Sequence, residues 1–122
     1  MILLLILLNI AHFLGDYTHL STTEMLQAKR IGSPLMLIAF HSAVHAVLFA
    51  IILVFYTEGL IFGICIWVEF ISHFAIDVLK GKLNVWFPSL SNPANKFHWY
   101  IFGLDQLAHQ LIIILIVYLI WK

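Results

Sequence analysis

Four long apolar segments restrict what this chain can fold into more than any other feature of its sequence. An α-helix needs about 20 apolar residues to cross the hydrocarbon core of a bilayer, and each segment is close to that length. Only 10% of the residues are charged, compared with about 25% in soluble proteins. We therefore expect an all-α integral membrane protein, a four-helix bundle of antiparallel up-down spans in a single domain. The expected spans are residues 2–20, 34–56, 60–79 and 100–121.

Turn-forming residues separate the segments. Ser33 and Pro34 predict a capped start for the second span. The stretch Thr57–Gly59 predicts a tight turn, so that spans two and three form a helical hairpin. Gly81 predicts the end of the third span. The first segment lacks the basic start and the cleavage motif of a signal peptide, so we expect it to be retained as a span.

The two longer connections, 21–33 and 81–99, lie on one side of the membrane if the spans alternate in direction. Aromatic residues and lysines flank the second connection, which suits the membrane interface, so we expect an interfacial loop between spans three and four. The basic residues concentrate on this side, while the other side has only Glu58 and Lys122. By the positive-inside rule this side is cytoplasmic. The expected location is a bacterial-type inner membrane, with a multi-pass chain and both termini outside.

The overall charge and the single cysteine exclude several classes of protein. Six basic residues balance six acidic ones, so the net charge gives no reason to expect a nucleic acid partner. Cys65 is the only cysteine, which excludes an internal disulfide. The expected partners are the lipid bilayer and a lipid-linked substrate, and an oligomer or a partner protein stays open.

Ionisable residues inside the spans point to function, because each costs about 2.5–3.5 kcal/mol on membrane-insertion scales. Eight of them form four pairs with a spacing of four residues. Residues four apart lie on one face of a helix, so each span presents two polar side chains together. Since the spans alternate in direction, all four pairs reach the same depth, beside the basic connections. The pairs are His12 with Asp16, His41 with His45, His73 with Asp77, and Asp105 with His109.

The pairs have the composition of a metal site. Eight nitrogen and oxygen ligands exceed what one tetrahedral zinc uses, and they suit two metals that keep open positions for water. Imidazole and carboxylate without thiolate fit zinc, iron, manganese or nickel. We therefore expect divalent metal ions, two per chain, held by these eight residues. Zinc is the first choice, and iron and manganese are the alternatives.

Two further residues extend the predicted site. Glu69 lies four residues before His73, where it is expected to be an acceptor that orients His73, a further ligand, or a general base. Lys80 lies three residues beyond Asp77, where it could neutralise that carboxylate or bind an anionic substrate. The simpler alternative for Lys80 is that its ammonium group reaches out to the interface.

Taken in order, these motifs resemble a family of small bacterial and phage membrane proteins known only as a domain of unknown function. The resemblance covers nearly the whole chain. Such proteins are similar, at a distance, to inner-membrane proteins described as metal-dependent hydrolases, which implies a hydrolytic activity. The family usually has a glutamine about four residues after its first Asp, where this chain has Leu20. The motifs that carry the resemblance are His12–Asp16 (HFLGD), Ala28-Lys29, His41 with His45, His73 with Asp77 and Lys80, and Asp105-Gln106 with His109.

The predicted function is an intramembrane metal-dependent hydrolase with a dinuclear site near the cytoplasmic face. Its substrate would be an ester or phosphoester that partitions into the membrane. One alternative is a di-iron lipid oxidase or hydroxylase, because membrane desaturase-like enzymes also use histidine-rich helix faces. Another is a protein without enzymatic activity, either a metal or proton carrier or a bundle held together by metal. A haem-binding bundle is a further alternative, although it would leave the aspartates without a partner.

Overall fold

The computed structural model describes all 122 residues and contains helices and turns without any strand. The all-α class predicted from the sequence is therefore confirmed. Three helices are long and apolar enough to cross a membrane, namely α3, α4 and α5, whereas α1 is an apolar helix of 16 residues. The helices are α1 (Ile2–Tyr17), α2 (Thr23–Ile31), α3 (Leu35–Leu53), α4 (Gly59–Trp86) and α5 (Lys96–Trp121), with a 3₁₀ turn at Pro88–Ser91.

The four longest helices form a bundle in which each helix contacts two neighbours. Helix α1 contacts α3 and α5, α3 contacts α4, and α4 contacts α5, while the short α2 lies against α3 and α4. An apolar core fills one end of this arrangement. It joins the start of α1 to the end of α3, the start of α4 and the end of α5, so neighbouring helices run in opposite directions. Its largest members are Leu4, Leu8, Phe49, Leu53, Ile113 and Ile116.

Large apolar side chains cover the outward faces of the long helices. Phe55 is 82% exposed, Leu60 78% and Trp67 64%. The interior, in contrast, contains many polar side chains, including five histidines and four carboxylates. A soluble monomer rarely exposes apolar surface on this scale. This distribution is the one expected of a protein whose main solvent is lipid.

The connection predicted at 21–33 contains the helix α2, which the sequence analysis missed. Its first turn is capped by Thr22, whose hydroxyl accepts the Met25 N–H at 3.2 Å. Its end is closed by Gly32 in the left-handed region with a φ of 70°, and the Gly32 N–H donates to the Ala28 carbonyl. Only a residue without a Cβ adopts this conformation readily. The hydropathy pattern did not reveal this helix because it is short and largely polar.

The predicted end of the third span at Gly81 is wrong. Helix α4 continues through Gly81 to Trp86 and has 28 residues. A Cβ at Gly81 would collide with the backbone of Gly32. This glycine is therefore required where the end of α2 crosses α4, and it does not terminate a helix.

The remaining differences concern helix ends. Ser33 does not cap α3, which begins at Leu35 after Pro34 without a side-chain cap. Helix α5 begins at Lys96, where Asn95 Oδ1 accepts the Phe97 N–H at 3.1 Å. The connection between α3 and α4 is 54–58, because Gly59 of the predicted turn is already the first residue of α4, and these two helices pack against each other.

Candidate metal centre

The eight predicted ligand side chains lie in one buried cluster, at the opposite end of the protein from the apolar core. Each is at most 7% exposed. Four helices contribute two residues each, from the last turns of α1 and from the middle parts of α3, α4 and α5. The i, i+4 spacing places both members of a pair on the inward face of their helix.

Three groups of side chains have ligand atoms within 4.8 Å of one another. Because His73 belongs to all three groups, they are adjacent parts of one cluster. Glu69 belongs to one group, whereas Asp105 belongs to none and lies at the edge of the cluster. The groups are His12, His45, Glu69 and His73; Asp16, His41, His45 and His73; and His73, Asp77 and His109.

Three ligand atoms at the centre of the cluster form a triangle with equal sides. His41 Nε2 and His73 Nε2 are 3.4 Å apart. Asp77 Oδ2 lies 3.4 Å from each of these two nitrogens. Asp16 Oδ1 adjoins the triangle at 3.1 Å from His41 Nε2.

The hydroxyl of Ser21 determines which nitrogen of His41 faces the cluster. Ser21 Oγ lies 2.7 Å from the carbonyl oxygen of Gly15 and 2.7 Å from His41 Nδ1. A carbonyl can only accept, so the single hydroxyl proton goes to Gly15, and Ser21 Oγ must accept the proton on His41 Nδ1. The lone pair of His41 therefore lies on Nε2 and points into the triangle.

Glu69 determines which nitrogen of His73 faces the cluster. Its Oε1 lies 3.2 Å from His73 Nδ1, and an ionised carboxylate only accepts. When Glu69 is ionised, His73 Nδ1 donates to it, and the lone pair on His73 Nε2 faces the cluster. This arrangement, in which a carboxylate holds the outer nitrogen of a histidine, is common at protein metal sites. It agrees with the first of the roles that the sequence predicts for Glu69.

Seven buried polar atoms of the cluster have no hydrogen-bond partner. Contacts such as His45 Nε2 to Asp16 Oδ1, at 3.3 Å, are short enough for a hydrogen bond but are not aligned for one. Each buried polar atom without a partner costs about 1–3 kcal/mol. So many in one place fit a site that binds a positively charged group. The atoms are His12 Nε2, both ring nitrogens of His45, both carboxylate oxygens of Asp77, Asp105 Oδ1 and His109 Nε2.

Lys29 lies beside the cluster, a position that was not predicted from the sequence. Its Nζ donates to Asp16 Oδ1 at 2.8 Å and lies 3.4 Å from Asp77 Oδ1. Burial acts to lower the pKa of Lys29, but the carboxylates of Asp77 and Asp16 outweigh this and raise its pKa above the usual value. Lys29 therefore carries a positive charge. The one sequence signal for it is its place in the motif set of the resembled family.

Lys80 contacts a different carboxylate from the one considered in the sequence analysis. Its Nζ donates to Asp105 Oδ2 at 2.9 Å, and no ion pair joins it to Asp77, whose ammonium neighbour is Lys29. Asp105 Oδ1 lies 3.7 Å from His109 Nε2. Asp105 thus connects the cluster to a cation on its outer side.

Gly15 provides the space for a central histidine. A Cβ at this position would lie 2.5 Å from Cε1 of His45, which is fully buried. The small residue therefore lets α1 approach α3 closely enough for their four polar side chains to meet.

A protein-family model described as "Protein of unknown function (DUF3307)" matches residues 3–122. The matched region contains every residue of the cluster. It agrees with the resemblance to a family of unknown function, whereas the likeness to hydrolases stays a prediction. No curated protein matches the chain, and no solved structure does.

Proposed function

The chain belongs to the DUF3307 family, and we propose that it is an intramembrane metal-dependent hydrolase. In this proposal the polar cluster holds two divalent metal ions near the cytoplasmic face. The substrate is an ester or phosphoester that partitions into the membrane. The eight ligands are the four His and Asp pairs predicted from the sequence.

The proposal includes a fourth span, α1. Sixteen residues of helix extend about 24 Å, which is somewhat less than the hydrocarbon thickness of about 30 Å. A short span is accommodated by local thinning of the bilayer or by its neighbours. Helix α1 packs between α3 and α5, both of which are long enough to cross, and it carries exposed apolar residues such as Ile2 and Leu3.

The triangle of His41 Nε2, His73 Nε2 and Asp77 Oδ2 is the observation that carries the metal assignment. Ligands bound about 2.0–2.1 Å from a tetrahedral zinc lie about 3.3–3.4 Å apart, and the sides of the triangle are 3.4 Å. The lone pairs of both histidines face inward, towards an acceptor oxygen. Three acceptors facing one another without a proton between them favour a bound cation, and the Lys29 ammonium approaches only one of them, His41 Nε2, at 3.4 Å.

A second ion is supported by unpartnered polar atoms of the cluster that are not part of this triangle. His12, His45 and His109 each have an unpartnered ring nitrogen, and none of them is part of the triangle. His12 and His45 also belong to the group that contains Glu69. One ion in the triangle would leave these nitrogens unsatisfied.

In the proposed mechanism the ions activate the substrate and a water, and the side chains orient the ligands and neutralise charge. When bound, the ions polarise a phosphoryl or carbonyl oxygen and lower the pKa of a bound water towards neutrality. Ser21 and Glu69 hold His41 and His73 in the binding tautomers. Lys29 and Lys80 neutralise the carboxylates on the side of the cluster nearest the interface. Glu69 is assigned to orienting His73 and not to proton transfer, because its Oε1 accepts from that ring.

Metal analysis of the purified full-length protein tests the assignment. We expect two ions per chain in the wild type and a clear loss in Asp77→Asn, which keeps the shape of the side chain but removes its charge. Glu58→Gln is the matched control, because Glu58 is exposed and remote from the cluster, and it should keep both ions. Protein that contains no metal after gentle purification would overturn the proposal.

Hydrolysis is tested separately with membrane-dispersed ester and phosphoester lipids. The wild type should release product, and the activity should disappear on chelation and return with the metal. Activity that survives complete metal removal would exclude this mechanism.

A lipid oxidase or hydroxylase is the second candidate, because the triangle has a composition that iron also uses. Two histidines and one carboxylate with open positions are typical of non-haem Fe(II) oxygenases, whereas two histidines and a glutamate hold zinc in several hydrolases. Iron in the purified protein, with an absorbance change on exposure to oxygen, would favour the oxidase. Zinc without such a change would favour the hydrolase.

A further inference from the structure

A basic cavity lies between α2, the second half of α4, the 3₁₀ turn and the start of α5. Its volume is about 350 Å³, and three cationic side chains line it, Lys29, Arg30 and Lys80. No carboxylate lines this cavity. A concave surface with cations and no acidic group is suited to an anion.

The cavity adjoins the metal cluster through two of these cations. Lys29 contacts Asp16 at 2.8 Å, and Lys80 contacts Asp105 at 2.9 Å. An anion held in the cavity would therefore lie next to the ligand carboxylates. Arg30 is in no ion pair of the protein and is exposed, so its guanidinium is free to bind an anion with two parallel hydrogen bonds.

An apolar groove continues from the cavity along the outer surface between α4 and α5. Its volume is about 240 Å³, and it shares Lys80 and Ile101 with the cavity. Leu79 and Leu104 line it, and they are 57% and 59% exposed on the surface that faces lipid in the proposed membrane arrangement. The groove therefore offers an apolar chain a path from the bilayer to the basic cavity.

The charges of the cluster favour an anionic substrate. Four carboxylates are matched by only two ammonium groups, and two divalent ions would change the excess negative charge into an excess positive charge. An anionic substrate would restore the balance. The carboxylates are Asp16, Glu69, Asp77 and Asp105, and the ammonium groups belong to Lys29 and Lys80.

We propose that the cavity and the groove bind one amphiphile, with an anionic phosphate headgroup against Arg30 and a hydrocarbon chain between α4 and α5. The substrate of the cluster is then a lipid phosphoester. Hydrolysis breaks the bond between phosphorus and the ester oxygen, the oxygen of water bonds to phosphorus, and the leaving alcohol takes up a proton. The catalytic part rests on the proposed function, whereas the binding part does not.

Binding is measured with a phosphonate analogue of phosphatidic acid, which cannot be cleaved because a P–C bond replaces the scissile bond. The protein as purified, in detergent, is titrated by native mass spectrometry with this lipid, with diacylglycerol of the same chain length, and with inorganic phosphate. We expect the lipid phosphonate to bind at least about tenfold more tightly than either of the others. Equal affinity for inorganic phosphate and the lipid would overturn the proposal that the site binds an amphiphile, because the ligand would then be soluble phosphate.

Arg30→Gln tests the headgroup position, with Lys82→Gln as its control. Arg30 lines the cavity, whereas Lys82 lies two residues from Lys80 on α4 but outside the lining. Loss of one charge-assisted contact should weaken lipid phosphonate binding about threefold to tenfold in Arg30→Gln, and Lys82→Gln should bind as the wild type does. Equal losses in both variants would show a general charge effect and would overturn the site.

Leu104→Trp tests the groove, with Leu107→Trp as its control. Both leucines are more than half exposed on α5, but only Leu104 lines the groove. The bulky ring should weaken binding of the lipid in Leu104→Trp and leave the control unchanged. Identical affinities in the two variants would overturn the proposal that the hydrocarbon chain of the lipid lies in this groove.

Failure of this inference and failure of the proposed function give different results. Selective binding of the lipid phosphonate without hydrolysis of the corresponding phosphoester would refute the hydrolase and support the binding site. Metal-dependent hydrolysis of neutral lipid esters, without any preference for the phosphonate, would refute the binding site and support the hydrolase.

Discussion

Ser21 illustrates how a residue outside the predicted ligand set determines the tautomer of a predicted ligand. It accepts from His41 Nδ1 and donates to the carbonyl of Gly15. The single hydroxyl thus fixes both a tautomer and a ring orientation. Residues of this kind are hard to recognise in a sequence, since a serine at the end of a span is also an ordinary turn residue.

Ser21→Ala should weaken metal binding without removing any ligand. The freed His41 ring can then place its proton on either nitrogen, and loss of such an outer partner typically costs about tenfold to a hundredfold in metal affinity. Metal titration of the chelated protein measures the effect. Ser72→Ala is the control, because Ser72 donates to the Val68 carbonyl of its own helix. An unchanged affinity in Ser21→Ala would contradict the role given to this hydroxyl.

The predicted ligands and Glu69 could be found from the sequence, but the partners Lys29 and Ser21 could not. A spacing of four residues is a local property of a helix, so a pair such as His12 and Asp16 can be recognised without knowing the fold. Lys29 reaches the cluster because α2 lies against α3 and α4, and Ser21 reaches it from the turn between α1 and α2. Their positions depend on tertiary contacts that no local pattern encodes.

At the scale of helices, the contact between α2 and α4 holds Lys29 in place. Gly32 ends α2 in the left-handed region and packs its backbone against Gly81. Asn84 Nδ2 donates to the Arg30 carbonyl at 3.1 Å and ties the same two helices together. The short helix is therefore held to α4 by backbone contact and by a side chain.

Gly81→Ala should displace α2 and loosen it. The added Cβ would meet the backbone of Gly32, which cannot rotate away as a side chain can. We expect faster hydrogen exchange in 23–31 and a weaker hold on the metal. Gly103→Ala is the matched control, since a Cβ there meets nothing within 4 Å. Unchanged exchange in α2 would argue against this close contact.

Hydropathy predicted the long helices better than their ends. The apolar runs located α3, α4 and α5, because length and composition decide whether a helix can cross a bilayer. The end of α4 was misplaced because a glycine that stops a helix and a glycine that allows a close crossing look the same in sequence. Helix α2 was missed because nine residues form too short a pattern to stand out.

At the scale of the whole molecule, the two ends have opposite character. The end with both chain termini is closed by apolar packing, including the rings of Tyr56 and Trp121 at 6.3 Å. The other end contains the polar cluster and the basic cavity. The sequence predicted this difference, because alternating spans bring all four His and Asp pairs to one depth.

Thiol labelling from the two sides of the membrane tests the proposed topology. In a Cys65→Ser background, Lys122→Cys should react with an impermeant reagent on the outer side. Asn92→Cys, beside the 3₁₀ turn, should react only after the inner side is opened. The reason is that a membrane-spanning α5 places these positions on opposite faces, with the basic residues inside. Labelling of both positions from the same side would exclude α5 as a span, and with it the proposed arrangement.

The division of ligands among the helices has a consequence for biogenesis. Each of α1, α3, α4 and α5 supplies two of the eight predicted ligands, and the last two lie in the C-terminal helix Lys96–Trp121. A nascent chain that still lacks this helix cannot complete the site, however well its earlier segments have inserted. Full metal loading would then have to wait until α5 had been inserted and packed against the other helices.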